Sequence, residues 1–199
     1  MKRVLFGLTM GAAALAMAGC SSWGWGSSGD KASASAPAAT ATSATNATNV
    51  TKAAATLAGK SGTNTGGRVT FDQQSGGGVI VAVSVTGLPP GTTHGFHIHE
   101  KGDCSAPDAM SAGGHFNPTG KPHGQMTTAD HHAGDMNNLV ADSSGNARVQ
   151  FLMPDVTVAP GPNSVVGRAV VVHKDPDDYH TQPTGNSGGR IACGVIAAS

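Results

Sequence analysis

Seven side chains able to hold a metal ion follow one another along the chain: His97, His99, His115, His123, His132, Asp135 and His173. They include six of the nine histidines and lie in segments that otherwise read as strands and glycine-rich loops. Zinc usually takes four ligands and copper three or four, so seven exceed the need of one ion. The series points to two adjacent ions sharing a ligand. Imidazoles with a single carboxylate and no thiolate suit copper and zinc, whereas magnesium and calcium prefer oxygen shells. The fold must therefore bring residues distant in sequence onto one rigid centre.

From Gly66 onward the pattern that could do this is all-β. Val69 and Phe71 alternate with polar neighbours, and Ser75-Gly76-Gly77-Gly78 makes a turn before the tight alternation of Val79 to Val85. Gly87-Leu88-Pro89-Pro90-Gly91 breaks the chain, and Gly95 to His99 resumes as a strand. Leu139 to Ala141 and Ala147 to Met153, around Asp142-Ser143-Ser144-Gly145-Asn146, read as a hairpin, and Ser164 to His173 as a last strong strand. No segment shows competing helical periodicity. Strands at these spacings with Gly/Pro punctuation predict a β-sandwich or barrel. Two connections, Glu100 to Asn138 and Lys174 to Arg190, are too long for hairpins, and long loops inside a domain are usually functional. They hold four of the seven ligands.

The N-terminal quarter has another character. Met1 to Gly19, with Lys2 and Arg3 before the apolar run Val4 to Met17, reads as a signal peptide too short for a permanent span. Leu15-Ala16-Met17-Ala18-Gly19-Cys20 resembles a bacterial lipobox, which would make Cys20 a lipidated mature N-terminus. Ordinary cleavage after Ala16-Met17-Ala18 is the alternative and would release a soluble protein. Residues 20–62 are rich in Ala, Ser, Thr and Gly, too poor in large apolar groups to fold, and are expected to be a flexible tether. Trp23 and Trp25, near the lipid site, could rest at a membrane interface. The domain is then expected to span residues 63–199.

Three cysteines are awkward in an oxidising compartment. If Cys20 carries lipid, Cys104 and Cys193 remain as a pair that export allows to oxidise. A bridge closing a loop of about 90 residues would contribute roughly 4 kcal/mol in the chain-entropy account. The whole chain is formally neutral, but from Ser61 onward seven Lys/Arg face eleven Asp/Glu, a net of −4. Nothing basic or repetitive suggests a nucleic-acid partner, and no second hydrophobic segment suggests a further span.

On a strand, residues two apart share a face, so His97 and His99 can reach one ion while Phe96 and Ile98 face the core. His173 ends the apolar run Val170-Val171-Val172 and offers a third imidazole on an equally rigid element. His115, His123, His132 and Asp135 make a closed tetrahedral set of the kind expected for structural zinc. Spacing alone does not choose between His131 and His132.

The segments Gly95-Phe96-His97-Ile98-His99-Glu100, Ser111-Ala112-Gly113-Gly114-His115-Phe116-Asn117-Pro118, His132-Ala133-Gly134-Asp135 and Val171-Val172-His173 resemble copper/zinc superoxide dismutase. So does Gly185-Asn186-Ser187-Gly188-Gly189-Arg190-Ile191-Ala192-Cys193-Gly194-Val195-Ile196, and the Lys101-Gly102-Asp103-Cys104 start of the long loop resembles the secreted bacterial branch. The resemblance covers roughly Gly66 to Ala197 and implies an all-β Greek-key β-sandwich or flattened eight-stranded barrel with two long functional loops. It implies one copper per subunit at His97, His99, His115 and His173, and one zinc at His115, His123, His132 and Asp135. His115 would be the bridging imidazolate, Cys104–Cys193 the intrasubunit disulfide and Arg190 the guanidinium beside the substrate channel. It favours His132 over His131, leaving His131 facing solvent, as His94 and His180 are also read to be. Asp177, next to Asp178, falls where the family has a carboxylate hydrogen-bonding a ligand of each metal. Lys174 stands where animal relatives carry an acidic residue.

The implied activity is dismutation of superoxide to oxygen and peroxide at a redox-cycling copper, with His115 and Arg190 catalytic, protecting the periplasmic side of the cell envelope. The alternative is an envelope copper- and zinc-binding protein with little turnover. With two divalent ions bound and one imidazole proton lost, the domain's net charge becomes roughly −1, so attraction of an anion must be local to the channel. Members of the family are often homodimers, but no patch in the sequence specifies an interface.

Overall fold

Val79 to Thr86 alternates buried and half-exposed positions along its length, the pattern of a strand with one face on a core. A computed structural model describes residues 50–199. The expected signal peptide, the Cys20 lipidation site, Trp23, Trp25 and the tether as far as residue 49 lie outside the described residues. In chain order the strands are β1 (Lys52–Gly59), β2 (Gly66–Gln73), β3 (Val79–Thr86), β4 (Thr93–His94), β5 (Phe96–His99), β6 (Leu139–Val140), β7 (Ala147–Met153), β8 (Ala169–His173), β9 (Arg190–Val195) and β10 (Ala197–Ala198). One 3-10 turn covers Met110–Ala112.

Eight strands form one curled antiparallel sheet in the order β5-β8-β9-β1-β2-β3-β7, with β10 pairing β1. β4 and β6 form a separate two-stranded ladder. The all-β architecture and non-sequential strand order match the expected Greek-key sandwich. Inward residues of successive strands, among them Val69, Phe71, Val81, Val85, Phe96, Ile98, Val170, Val172 and Ile196, meet in one apolar core. Each such side chain contributes about 1.5–3 kcal/mol by leaving water. A smaller cluster on the opposite face of β8 and β9 packs Ala109, Ala112, Ala169 and Val171 around Cys193. β8 is therefore buried on both sides along its whole length.

Three expectations are corrected. The tether does not run to Gly62, because Lys52–Gly59 is a strand whose inward residues Ala53, Ala55 and Leu57 are buried. Alanine suffices there because Ala53 and Ala55 lie opposite the large Phe71 and Val69 of β2. The turn Asp142–Asn146 forms, with Ser144 and Asn146 amides donating to the Asp142 carboxylate. It does not close a hairpin, however: β6 pairs β4, and β7 pairs β3. Finally, the strand expected from Ser164 begins only at Ala169, since Gly167 turns the chain with φ 80°.

Candidate metal centre

β5 edges the eight-stranded sheet, pairing β8 on one side only. Along its free side the long connection from Glu100 to Asn138 lays down its own backbone: Phe116 N–H donates to Ile98 O at 2.8 Å, and Ile98 N–H donates to Gly134 O at 2.9 Å. A side chain at Gly134 would strike the Ile98 carbonyl, so the approach requires glycine. By this docking the loop's ligands meet those of the strands. His97, His99, His115 and His173 offer atoms within 4.8 Å of one another, and so do His115, His123, His132 and Asp135. All seven residues are buried.

Hydrogen bonds fix where the protons of the first set sit. His99 Nδ1 lies 2.9 Å from Gly113 O and His173 Nδ1 3.3 Å from Gly188 O. A carbonyl can only accept, so each Nδ1 carries the hydrogen and each Nε2 presents a lone pair. Those two Nε2 atoms face each other at 3.3 Å. His97 gives its Nε2–H to Asp177 Oδ2 at 2.7 Å, which leaves Nδ1 as a buried atom without a hydrogen-bond partner. His115 Nε2 is likewise buried without one. Four converging lone pairs in a buried pocket suit a cation. Burial also pushes the pKa of His97, His99 and His173 down and that of His115 to about 4, keeping the rings in their ligating form.

The second set surrounds Asp135. Its Oδ1 lies 2.9 Å from His115 Nδ1 and 3.3 Å from His132 Nδ1, and its Oδ2 lies 3.0 Å from His123 Nδ1. Burial opposes ionisation of Asp135, but the bonds from His115, His123 and His132 outweigh it and hold the carboxyl well below the usual range. His123 gives Nε2–H to Asp177 Oδ1 at 3.0 Å, while its Nδ1 faces the Asp135 carboxylate. Burial would lower its pKa, yet Asp135 and Asp177 raise it to about 9. The gap between His123 and Asp135 thus calls for positive charge, and three imidazoles with one carboxylate are the donors zinc accepts.

Asp177 joins the two sets by accepting from one histidine of each, while the exposed Asp178 accepts from the amides of His180 and Thr181. Three further residues that sequence reasoning missed hold this frame. Gln182 clamps the His123 backbone, accepting from its N–H and donating to its carbonyl, both at 2.8 Å. Asn138 donates Nδ2–H to Asp177 O at 2.9 Å and accepts from Asp177 N at 2.8 Å. Tyr179 lends its hydroxyl to the Asn138 amide at 2.9 Å. Backbone partners leave no spacing signature, so only their place inside the two long loops could have flagged them.

Arg190, half-buried at the start of β9, donates to Ala109 O at 2.7 Å and to Gly113 O at 2.6 Å. Gly113 O is also the acceptor that orients His99, so guanidinium and ligand share one anchor. Cys104 and Cys193 are bridged, with Cα atoms 5.8 Å apart, tying the loop that carries Ala109 and Gly113 to β9. His180 is exposed as expected, but His94 and His131 are not. His94 bonds the His173 carbonyl through Nδ1 at 2.8 Å and Thr92 Oγ1 through Nε2 at 2.7 Å. His131 bonds Thr128 O at 2.8 Å and approaches Asp155 at 3.2 Å, so both its nitrogens are engaged away from the ligand set.

The copper/zinc superoxide dismutase (SODC) family profile matches residues 65–196. Superoxide dismutase (Cu-Zn) 2 of Aquifex aeolicus (strain VF5) is 46% identical over 149 residues, covering 73% of this chain and 86% of that protein. Among solved structures, the clock protein EA4 superposes with a TM-score of 0.69 at 41% identity, covering 76% of this chain and 97% of that one. A SOD-like protein from Bacillus subtilis gives 0.65 at 38% identity, covering 71% and 95%. Over most of its length, then, the chain belongs to the copper/zinc superoxide dismutase family.

Proposed function

We propose that His97, His99, His115 and His173 hold copper, that His115, His123, His132 and Asp135 hold zinc, and that His115 spans the two as an imidazolate. Family membership makes superoxide the substrate and copper and zinc the cofactors. The observation that supports the bridge is the divided allegiance of one ring. His115 Nδ1 faces Asp135 at 2.9 Å while its Nε2 is buried without a hydrogen-bond partner. No carbonyl or carboxylate outside the two sets takes its one proton, so Nε2 is free to face one cation, and Nδ1, on losing that proton, the other.

When bound, copper supplies one-electron oxidation and reduction, and zinc supplies a fixed divalent charge. The chain does the rest. With the bridge open on the copper side, His115 Nε2 would be the atom at which the chain can hold a proton drawn from solvent and pass it to reduced superoxide. His99 and His173, each tied to a backbone carbonyl, keep their orientation throughout. Asp177 fixes His97 and His123 at once. Arg190, always charged, draws the anion inward, a local attraction needed because the residues from Ser61 onward carry a net of −4.

The disulfide is compatible with export. We place the protein on the periplasmic side of the envelope, tethered through lipid on Cys20, where it removes superoxide; subunit pairing is read by sedimentation. Superoxide decay is measured with protein carrying both metals. A rate no faster than buffer ends the enzymatic reading. Mass spectrometry of the mature N-terminus separates a lipidated Cys20 from simple cleavage.

A further inference from the structure

Tyr179 occupies a backbone conformation that tyrosine adopts at a cost. Its φ is 62°, in the left-handed region where glycine sits freely and a bulky residue is strained by about 1–2 kcal/mol. Such strain persists where the surroundings over-determine it. Here the bend turns the Tyr179 amide back onto Asp177 Oδ1 at 2.7 Å, the same oxygen that takes the His123 proton. The side chain then reaches across to the other long loop, where its hydroxyl accepts from the Asn138 amide at 2.9 Å. Asn138 stands three residues after Asp135, and its own side chain grips Asp177 on both backbone atoms. One tyrosine therefore joins the end of the loop carrying His115, His123, His132 and Asp135 to the carboxylate that orients His97 and His123. A glycine would make the bend without strain but would have no hydroxyl to hold the second loop.

We propose that Tyr179 is a positioning residue for both metals, setting the Asp177 carboxylate by clamping residues 177–179 to Asn138. The proposal rests on the copper and zinc assignments above. Its effect travels through Asp177, so it should be smaller than the loss of a direct ligand partner.

The test compares wild type with Tyr179→Phe and Tyr179→Gly. Zinc affinity is read by competition with a chromophoric chelator, and the copper(II) electron paramagnetic resonance spectrum is read on protein loaded with both metals. Losing a group that bonds a ligand costs about 10- to 100-fold in affinity, so Tyr179→Phe should weaken zinc about 3- to 10-fold. It should also alter the copper spectrum and speed exchange of the Asn138 amide. Tyr179→Gly, freed of strain, should still bind zinc no better than Tyr179→Phe. Unchanged zinc affinity and copper spectrum in Tyr179→Phe overturn the proposal, as does wild-type affinity in Tyr179→Gly. Melting of the metal-free proteins is followed in parallel. A weaker zinc site explained by collapse of the metal-free fold also overturns it, in favour of a general structural role. If the wild type itself binds no zinc, the metal assignments fail; equal affinities in wild type and Tyr179→Phe sink only this inference.

Discussion

The two ligand sets are built differently. His97 and His99 stand on a strand whose register is fixed residue by residue, with His97 opposite Val171 and His99 opposite Ala169, and His173 ends β8, where the register against β9 shifts. Those neighbours are fully buried, and each pair is locked by the ladder on which the core packs. His115, His123, His132 and Asp135 come instead from the long connection, where two backbone bridges to β5 and a few side-chain clamps replace the ladder. Strand ligands converge because the sheet forms. Loop ligands converge through those bridges and clamps, and a bound ion would add to that holding. The strand set should be preformed without metal, whereas the loop set should tighten when zinc binds.

His115→Ala strikes the comparison where the two regions meet. Its ring is the one residue in both sets, so the variant should lose zinc and leave copper one ligand short. Turnover should fall by more than about 100-fold, beyond the range for losing a mere partner of a ligand. Metal analysis decides the matter: retention of both ions at wild-type affinity would break the shared-ligand reading. Asp177→Asn probes the link from outside. An amide of the same shape can accept from only one imidazole and turns its own N–H toward the other, so His97 or His123 loses its partner. Zinc affinity should drop about 10- to 100-fold with a smaller change at copper, because His99 and His173 keep their backbone acceptors. An equal loss at both metals would mean that the strand set is no more rigid than the loop.

The same division governs what could be read in the sequence. His97-Ile98-His99 and the apolar run before His173 were legible because strand periodicity assigns a face to each residue. The loop ligands were countable, but choosing His132 over His131 or Asp177 over Asp178 needs the backbone path, since adjacent residues carry the same chemistry. His94 and His131 read as solvent-facing because histidine is polar; each is held by one backbone oxygen and one side-chain oxygen, which no spacing encodes. β1 passed for tether because a strand facing large neighbours needs only alanine, so its composition is that of a linker. Gln182, Asn138 and Tyr179 escaped for the same reason: each acts on main-chain atoms of the opposite loop.

Arg190→Ala separates delivery of the anion from holding of the metals. The guanidinium is anchored by Ala109 and Gly113 carbonyls and contributes no ligand atom. Both metals should stay bound while the second-order rate with superoxide falls about 10-fold, within the range by which local charge raises encounter rates. The remaining rate should also depend less on ionic strength than that of the wild type. Loss of copper in this variant would show that the Gly113 anchor shared with His99 matters more than the charge.

His131→Ala should have the smallest effect and is the sharpest test of how the loop is ordered. His131 is buried beside a zinc-set residue, yet Nδ1 bonds Thr128 O at 2.8 Å and Nε2 approaches Asp155 at 3.2 Å. Asp155 follows β7, so this contact fastens the loop to the far edge of the sheet rather than to a metal. Its removal should leave both metal affinities unchanged and lower stability by about 0.5–1.5 kcal/mol, the ordinary contribution of one such bond. His132→Ala in the same assay should show the reverse pattern, with zinc lost. If His131→Ala weakened zinc as much as His132→Ala did, the loop would owe its shape to its anchorage on β7, and zinc would be a guest in a frame already built.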